Sequence, residues 1–146
     1  GDIMPTHFTD KQGAISMGKE FNNAFSFLGD RFYCVFGNHD DNSDEQPGNK
    51  ALHLSESEIF PFLQSQMTGN STCLDGHFNF FSDFESSRTR VIGLDTGRYY
   101  NEQLYPSFYY GTISFLIDAL ETTPDNWNIV IISHFWFVQL SLNLQF

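Results

Sequence analysis

The residues Gly37-Asn38-His39-Asp40 follow directly on the apolar run Phe32-Tyr33-Cys34-Val35-Phe36, with no ordinary turn sequence between them. A second histidine, His134, ends another apolar run, Ile129-Val130-Ile131-Ile132-Ser133, and Asp2 stands beside Gly1 at the start of the chain. Amide oxygen, carboxylate and imidazole together form a mixed donor set. Such a set suits a divalent first-row ion such as Mn, Fe, Zn or Ni, whereas an all-oxygen set would favour Ca or Mg. The chemistry these ions favour is hydrolysis: a pair of them held by a bridging carboxylate would activate water and neutralise the oxygens of a phosphate ester during in-line displacement. The ions would also bring positive charge to a chain that has little, since 7 Lys and Arg stand against 18 Asp and Glu for a formal charge of -11.

These side chains need elements that bring them together, and hydrophobic periodicity predicts them. Between Thr9 and Gly29, the residues Ala14, Met17, Phe21, Ala24, Phe25 and Leu28 recur at helical spacing. They predict an amphipathic helix with Thr9 or Asp10 as N-cap and Gly29 as stop. Arg31 to Phe36 reads as a short buried strand, rich in aromatic and β-branched residues. Residues 41–50 are polar and turn-rich, an exposed loop in which Asp41, Asp44 and Glu45 face solvent. A short helix is expected over Ser57 to Met67, with Pro61 tolerated because it lies near the start. His77 to Phe84 and Arg88 to Asp95 read as two strands joined tightly through Glu85-Ser86-Ser87, the second carrying the core. Tyr99 to Tyr110 reads as a loop whose rings fill its own underside. From Gly111, the residues Ile113, Leu116, Ile117 and Leu120 mark a helix that ends at Thr122-Thr123-Pro124, and Asn128 to Ser133 is a further strand. Gly1-Asp2 would be the stub of another.

Helices alternating with short, almost wholly apolar strands predict an α/β fold with a sheet covered on both faces. Ligands of such sheets gather at the carboxyl ends of strands, which is where Asn38, His39, Asp40, Asp95 and His134 fall. The 146 residues fit one domain, and 40% hydrophobic with 17% aromatic residues exclude a disordered chain. The acidic balance disfavours broad tracking along a nucleic-acid backbone and adsorption to anionic lipid. No run approaches the roughly 18 apolar residues of a membrane span, and no signal-peptide layout opens the chain. Two cysteines make no disulfide framework, and Cys34 reads as a small buried hydrophobe. The glycosylation triplet Asn70-Ser71-Thr72 is read as a chance match. Compartment, substrate and oligomeric state are left open.

The ordered series of Gly1-Asp2, a helix, "GNHD" at the end of an apolar strand, the helix "YGTISFLIDAL" and Ser133-His134 after "IVII" resembles the middle portion of the calcineurin-like metallophosphoesterase family. That resemblance implies part of a four-layer sandwich, mixed β-sheets flanked by helices, with two divalent ions and a phosphate-ester substrate. It implies Asp2 as the carboxylate bridging both ions, with Asn38 and His134 as ligands of the second. His39 would contact the phosphate and protonate or stabilise the leaving oxygen, and Asp40 would orient its ring. Gly37 would let the backbone turn sharply after the strand.

Two departures from the family pattern matter. Its first motif, Asp-x-His, is expected upstream of Gly1, and its last, Gly-His-x-His, downstream of His134, so residues 1–146 read as a partial domain truncated at both ends and inactive in isolation. "DGHFN" at residues 75–79 precedes His134 and ends in Asn, so His77 is given no metal role. Asp95 reads as a turn aspartate, while His7 and His53 are given no function. The rival to a metal-dependent phosphoesterase is a truncated or degenerate, non-catalytic binding module, and metal content discriminates between the two.

Overall fold

The computed structural model describes residues 8–43, 48–63, 71–73, 78–100, 103–106 and 110–135. Helix α1 (Lys11–Phe25) starts where its cap residue stands: the Asp10 carboxylate accepts the Gly13 N–H at 2.7 Å. It continues into a tight 3-10 segment, Ser26–Arg31, broken by Gly29 at φ 55°, ψ -130°, a conformation that only glycine enters cheaply. Helix α2 (Glu56–Leu63) begins one residue before its expected start and carries Pro61 inside it. Ser55 and Glu58 form the capping box of α2: the Glu58 carboxylate accepts the Ser55 N–H at 2.7 Å and its hydroxyl at 2.9 Å. Lys11 of α1 closes an ion pair with the same carboxylate at 3.1 Å, tying the two helices together.

A four-stranded sheet forms the centre, with β1 (Ser71–Cys73), β2 (Phe80–Phe84), β3 (Thr89–Leu94) and β6 (Asn128–Ser133) in the order β1-β2-β3-β6. The β2–β3 pairing is antiparallel and turns through a 3-10 corner, Glu85–Ser87, that Arg88 closes at φ 48°. β3 and β6 are parallel, with helix α3 (Tyr110–Glu121) as the crossover between them. β4 (Gly97–Tyr100) and β5 (Gln103–Pro106) pair separately as an antiparallel ribbon where a loop was expected. Only two residues separate these strands in the sequence, so the arrangement is a tight hairpin rather than an irregular aromatic loop.

Each sheet face carries its own core. On one, Ile92 and Leu94 of β3 pack with Phe115 and Ala119 of α3, joined by Phe81. Beyond the other face, Ala14 of α1, Ile59 of α2, Phe36, Leu54 and Phe78 cluster. Phe80 faces Gly93 across the ladder, and a Cβ on Gly93 would come within 2.2 Å of the Phe80 ring. Arg90 is buried at the β2–β3–α3 junction: its guanidinium donates two bonds of 2.7 Å to Asp83 and one of 2.6 Å to the Ala119 carbonyl, and lies over the Phe81 ring.

Three expectations change. Residues 32–37 are extended but join no ladder among the described residues, Phe32 having φ -112° and ψ 121°. Tyr33 instead stacks on Phe80 and its hydroxyl bonds Ser82 at 2.9 Å, while Phe36 stacks on Phe78 at 4.8 Å. The segment therefore lies over the sheet face through these side chains. The loop after it is not uniformly exposed: Asn42 and Ser43 are each 2% exposed. Strand β6, read as buried, has Ile129, Val130 and Ile131 at 42%, 45% and 39% exposure, because among the described residues only β3 flanks it.

Candidate metal centre

The turn at residues 37–40 is built by its own polar groups. Asp40, fully buried, accepts the Gly37 N–H through Oδ2 at 2.8 Å, and its own N–H donates to the Gly37 carbonyl at 3.3 Å. Asn42 N–H then donates to the His39 carbonyl at 3.0 Å, with Asn42 itself in the left-handed region at φ 60°. Asn tolerates that conformation better than most residues. The Asn42 side chain clamps the turn to the body: Nδ2 donates to the carbonyls of Phe8 at 3.1 Å and Leu52 at 3.3 Å, and Oδ1 accepts the Phe8 N–H at 3.4 Å. Asp41, expected in solvent, is drawn in as well, accepting the Ser43 N–H through Oδ1 at 2.8 Å and the Leu54 N–H through its carbonyl at 2.8 Å.

Within Gly37-Asn38-His39-Asp40, three residues are buried and His39 alone is partly open to solvent. A group that must meet a substrate needs that access, whereas one that supports the turn does not. Cys34, two residues before the end of the apolar run, is a poor nucleophile and a poor ligand here. Burial, reinforced by the Asp40 carboxylate, pushes its thiol up to about 11, so the thiolate is scarce at neutral pH.

His134 lies where β6 ends, and its Nε2 is 2.8 Å from Oδ1 of Asn38 although 96 positions separate them in the chain. Two donors bound at right angles to one ion at about 2.1 Å each would sit about 3 Å apart, so this pair is spaced as two ligands of one ion are. Without an ion, imidazole and amide oxygen satisfy each other by a hydrogen bond. Both donors are neutral, which leaves the charge of the ion to a carboxylate. Asp2, the residue expected to supply it, lies outside the described residues, as does His77. Among the described residues no three His, Cys, Asp or Glu side chains converge to hold a metal ion.

Around His134, Asp95 is joined by three residues that the sequence did not single out, Asn79, Thr96 and Thr112. Asn79, Thr96 and Thr112 are fully buried and Asp95 nearly so. Asn79 Oδ1 accepts the Asp95 N–H at 2.9 Å, and Asn79 Nδ2 donates to Thr112 Oγ1 at 3.0 Å. Thr96 Oγ1 accepts the Phe135 N–H at 3.1 Å. Asp95 is thus part of a buried network where β3 ends, not a surface turn. The one sequence signal for it was its position after an apolar strand.

The calcineurin-like phosphoesterase family matches residues 1–134, a span that runs from Asp2 through the turn at 37–40 to His134. The chain belongs to the calcineurin-like phosphoesterase family. Members of this family are generally metal-dependent hydrolases of phosphoesters. No curated protein and no solved structure gave a significant match. Among the described residues no helix is long and apolar enough to cross a membrane.

Proposed function

We propose that these residues form the middle of the site of a phosphoesterase that hydrolyses phosphomonoesters or phosphodiesters at a dinuclear metal centre. Asn38 and His134 would share one of the two ions, and Asp2 would bridge the pair. Bound divalent ions, Mn, Fe, Zn or Ni by the donor set, would supply positive charge to the phosphoryl oxygens and lower the pKa of the attacking water. The observation that carries this reading is the 2.8 Å approach of Asn38 to His134 across the fold.

The chain's own residues then divide the work. His39, the accessible member of its turn, contacts a phosphate oxygen and gives its proton to the leaving oxygen as the ester bond breaks. Asp40 holds the turn closed through Gly37 and so fixes where His39 points. The activity is assigned to a polypeptide in which the Asp-x-His and Gly-His-x-His motifs accompany the residues named here.

The test has two readouts. Metal binding is measured on the 146 residues by titration with Mn(II), where Asn38→Ala and His134→Ala are each expected to weaken affinity at least tenfold. Turnover of a chromogenic phosphate ester is measured in full-length protein, where His39→Ala is expected to lower kcat by roughly 10²–10⁴-fold with metal content unchanged. Equal turnover in wild type and His39→Ala removes the role assigned to His39. Failure of the full-length protein to bind Mn(II) points instead to a non-catalytic binding module.

A further inference from the structure

The parallel ladder between β3 and β6 ends at the pair Leu94 and Ser133. Two positions further along each chain stand Thr96 and Phe135, and they are joined by a bond of 3.1 Å in which the Thr96 hydroxyl accepts the Phe135 N–H. A side chain thus carries the register past the point where backbone pairing stops. His134 is the residue caught between the end of the ladder and this clamp. On its other side, the Ser133 hydroxyl donates to the Phe135 carbonyl at 2.8 Å, closing a small loop around His134. The His134 ring meets the Phe135 ring edge-on at 4.7 Å.

The position of Thr96 is in turn well determined. It is fully buried, and the preceding residue, Asp95, has its N–H held by the Asn79 carboxamide. Asn79 is tied through Thr112 to the first turn of α3. The chain of contacts runs from α3 to Asn79, to the end of β3, to Phe135 and so to the imidazole facing Asn38.

From this geometry we infer that Thr96 is a positioning residue for His134, holding the imidazole at the distance from Asn38 that a shared divalent ion requires. The inference rests on the metal-binding reading given above. Donors pre-set by a rigid outer layer bind an ion without first paying to be ordered, and removing such a layer costs roughly 10–100-fold in metal affinity. Thr96→Val keeps the shape of the side chain and deletes the acceptor, while Thr96→Ser keeps the acceptor.

The experiment is Mn(II) titration of the wild-type chain, Thr96→Val, Thr96→Ser and His134→Ala, with the thermal midpoint of each metal-free protein measured alongside. Thr96→Val is expected to bind Mn(II) about 10–100-fold more weakly, and Thr96→Ser within about threefold of wild type. A role confined to stability would lower the midpoint and leave the affinity of the folded protein unchanged. Thr96→Val within threefold of wild type, with His134→Ala strongly weakened, overturns the positioning role and leaves the metal reading intact. His134→Ala binding as well as wild type overturns the metal reading and this inference with it. Should Thr96→Val not fold, Thr96→Ala deletes the same acceptor without adding bulk, and an unchanged affinity there likewise overturns the positioning role.

Discussion

Gly93 offers a direct test of how the sheet is packed against the segment that leads to the Asn38 turn. In Gly93→Ala the new methyl group would lie 2.2, 2.4 and 2.8 Å from three atoms of the Phe80 ring. Carbon atoms in contact prefer about 3.5–4.0 Å, so the ring must retreat by more than about 1 Å. Phe80 is fully buried and stacked on Tyr33, whose hydroxyl is held by Ser82, so the retreat strains a second ring and a hydrogen bond. Overpacking a tight core costs about 1–3 kcal/mol, and three clashing atoms with no free direction put this variant at about 3 kcal/mol. That is a large share of the roughly 5–15 kcal/mol by which domains are stable. Urea unfolding should show the midpoint falling with the m value unchanged. In the double variant Gly93→Ala/Phe80→Leu the methyl group finds room, so the two effects should be less than additive by about 1 kcal/mol or more. A Gly93→Ala unfolding free energy within about 0.5 kcal/mol of wild type, or strict additivity in the cycle, would refute the reasoning.

Arg90→Ala strips the buried partner from Asp83 and takes from the Ala119 carbonyl one of its two side-chain donors, the Thr123 hydroxyl remaining, so a loss of about 3 kcal/mol is expected in the same unfolding assay. A change below about 1 kcal/mol would show that the buried pair does not hold the β2–β3–α3 junction. The Ser55 N–H and hydroxyl, together with Lys11, pull the Glu58 carboxyl from an ordinary 4.5 down to about 2. A depressed carboxylate stabilises the folded chain above its unfolded value and ceases to do so as the pH falls through its folded value. Glu58→Gln should therefore have a lower thermal midpoint than wild type at pH 6, with the gap closing between about pH 4.5 and pH 2. A gap that is constant over that range would mean the capping carboxylate is not the source.

The parts of the fold that follow local rules were legible in the sequence. Helix α1 announced itself by period and by Asp10 as cap, and both are found, whereas the α-helix ends at Phe25, four residues before the expected stop, and Gly29 instead breaks the 3-10 segment that follows. The strands of the pair β2–β3, helix α3 and strand β6 follow from apolar runs separated by turn residues, while the parallel pairing of β6 with β3 is seen only in the fold. What stayed hidden depends on neighbours far away in the chain. Nothing local marks Asn42 as the clamp on Phe8, 34 positions away, or Thr96 as the clamp on Phe135, 39 positions away. An apolar run states a preference for burial but not who covers it, so Tyr33 and Phe36 lie across a sheet face, and Ile129 to Ile131 lie on the strand that ends the sheet among the described residues. At the site, the motif around Asn38 and the histidine ending β6 were both readable, while their 2.8 Å meeting required the fold.

Asn38 follows Phe36, a member of the cluster with α1 and α2, whereas His134 follows a strand paired to β3, whose Ile92 and Leu94 belong to the cluster with α3. A ligand gripping both side chains would join the two halves of the molecule and close a loop of 96 positions. A covalent cross-link over about 100 residues restricts the unfolded chain by about 4.7 kcal/mol in the chain-entropy treatment, and a tightly held ion acts in the same direction. The proposed metal is therefore also a staple. Chelation should loosen the seam between the two hydrophobic clusters before either cluster melts, and hydrogen exchange at that seam would record it.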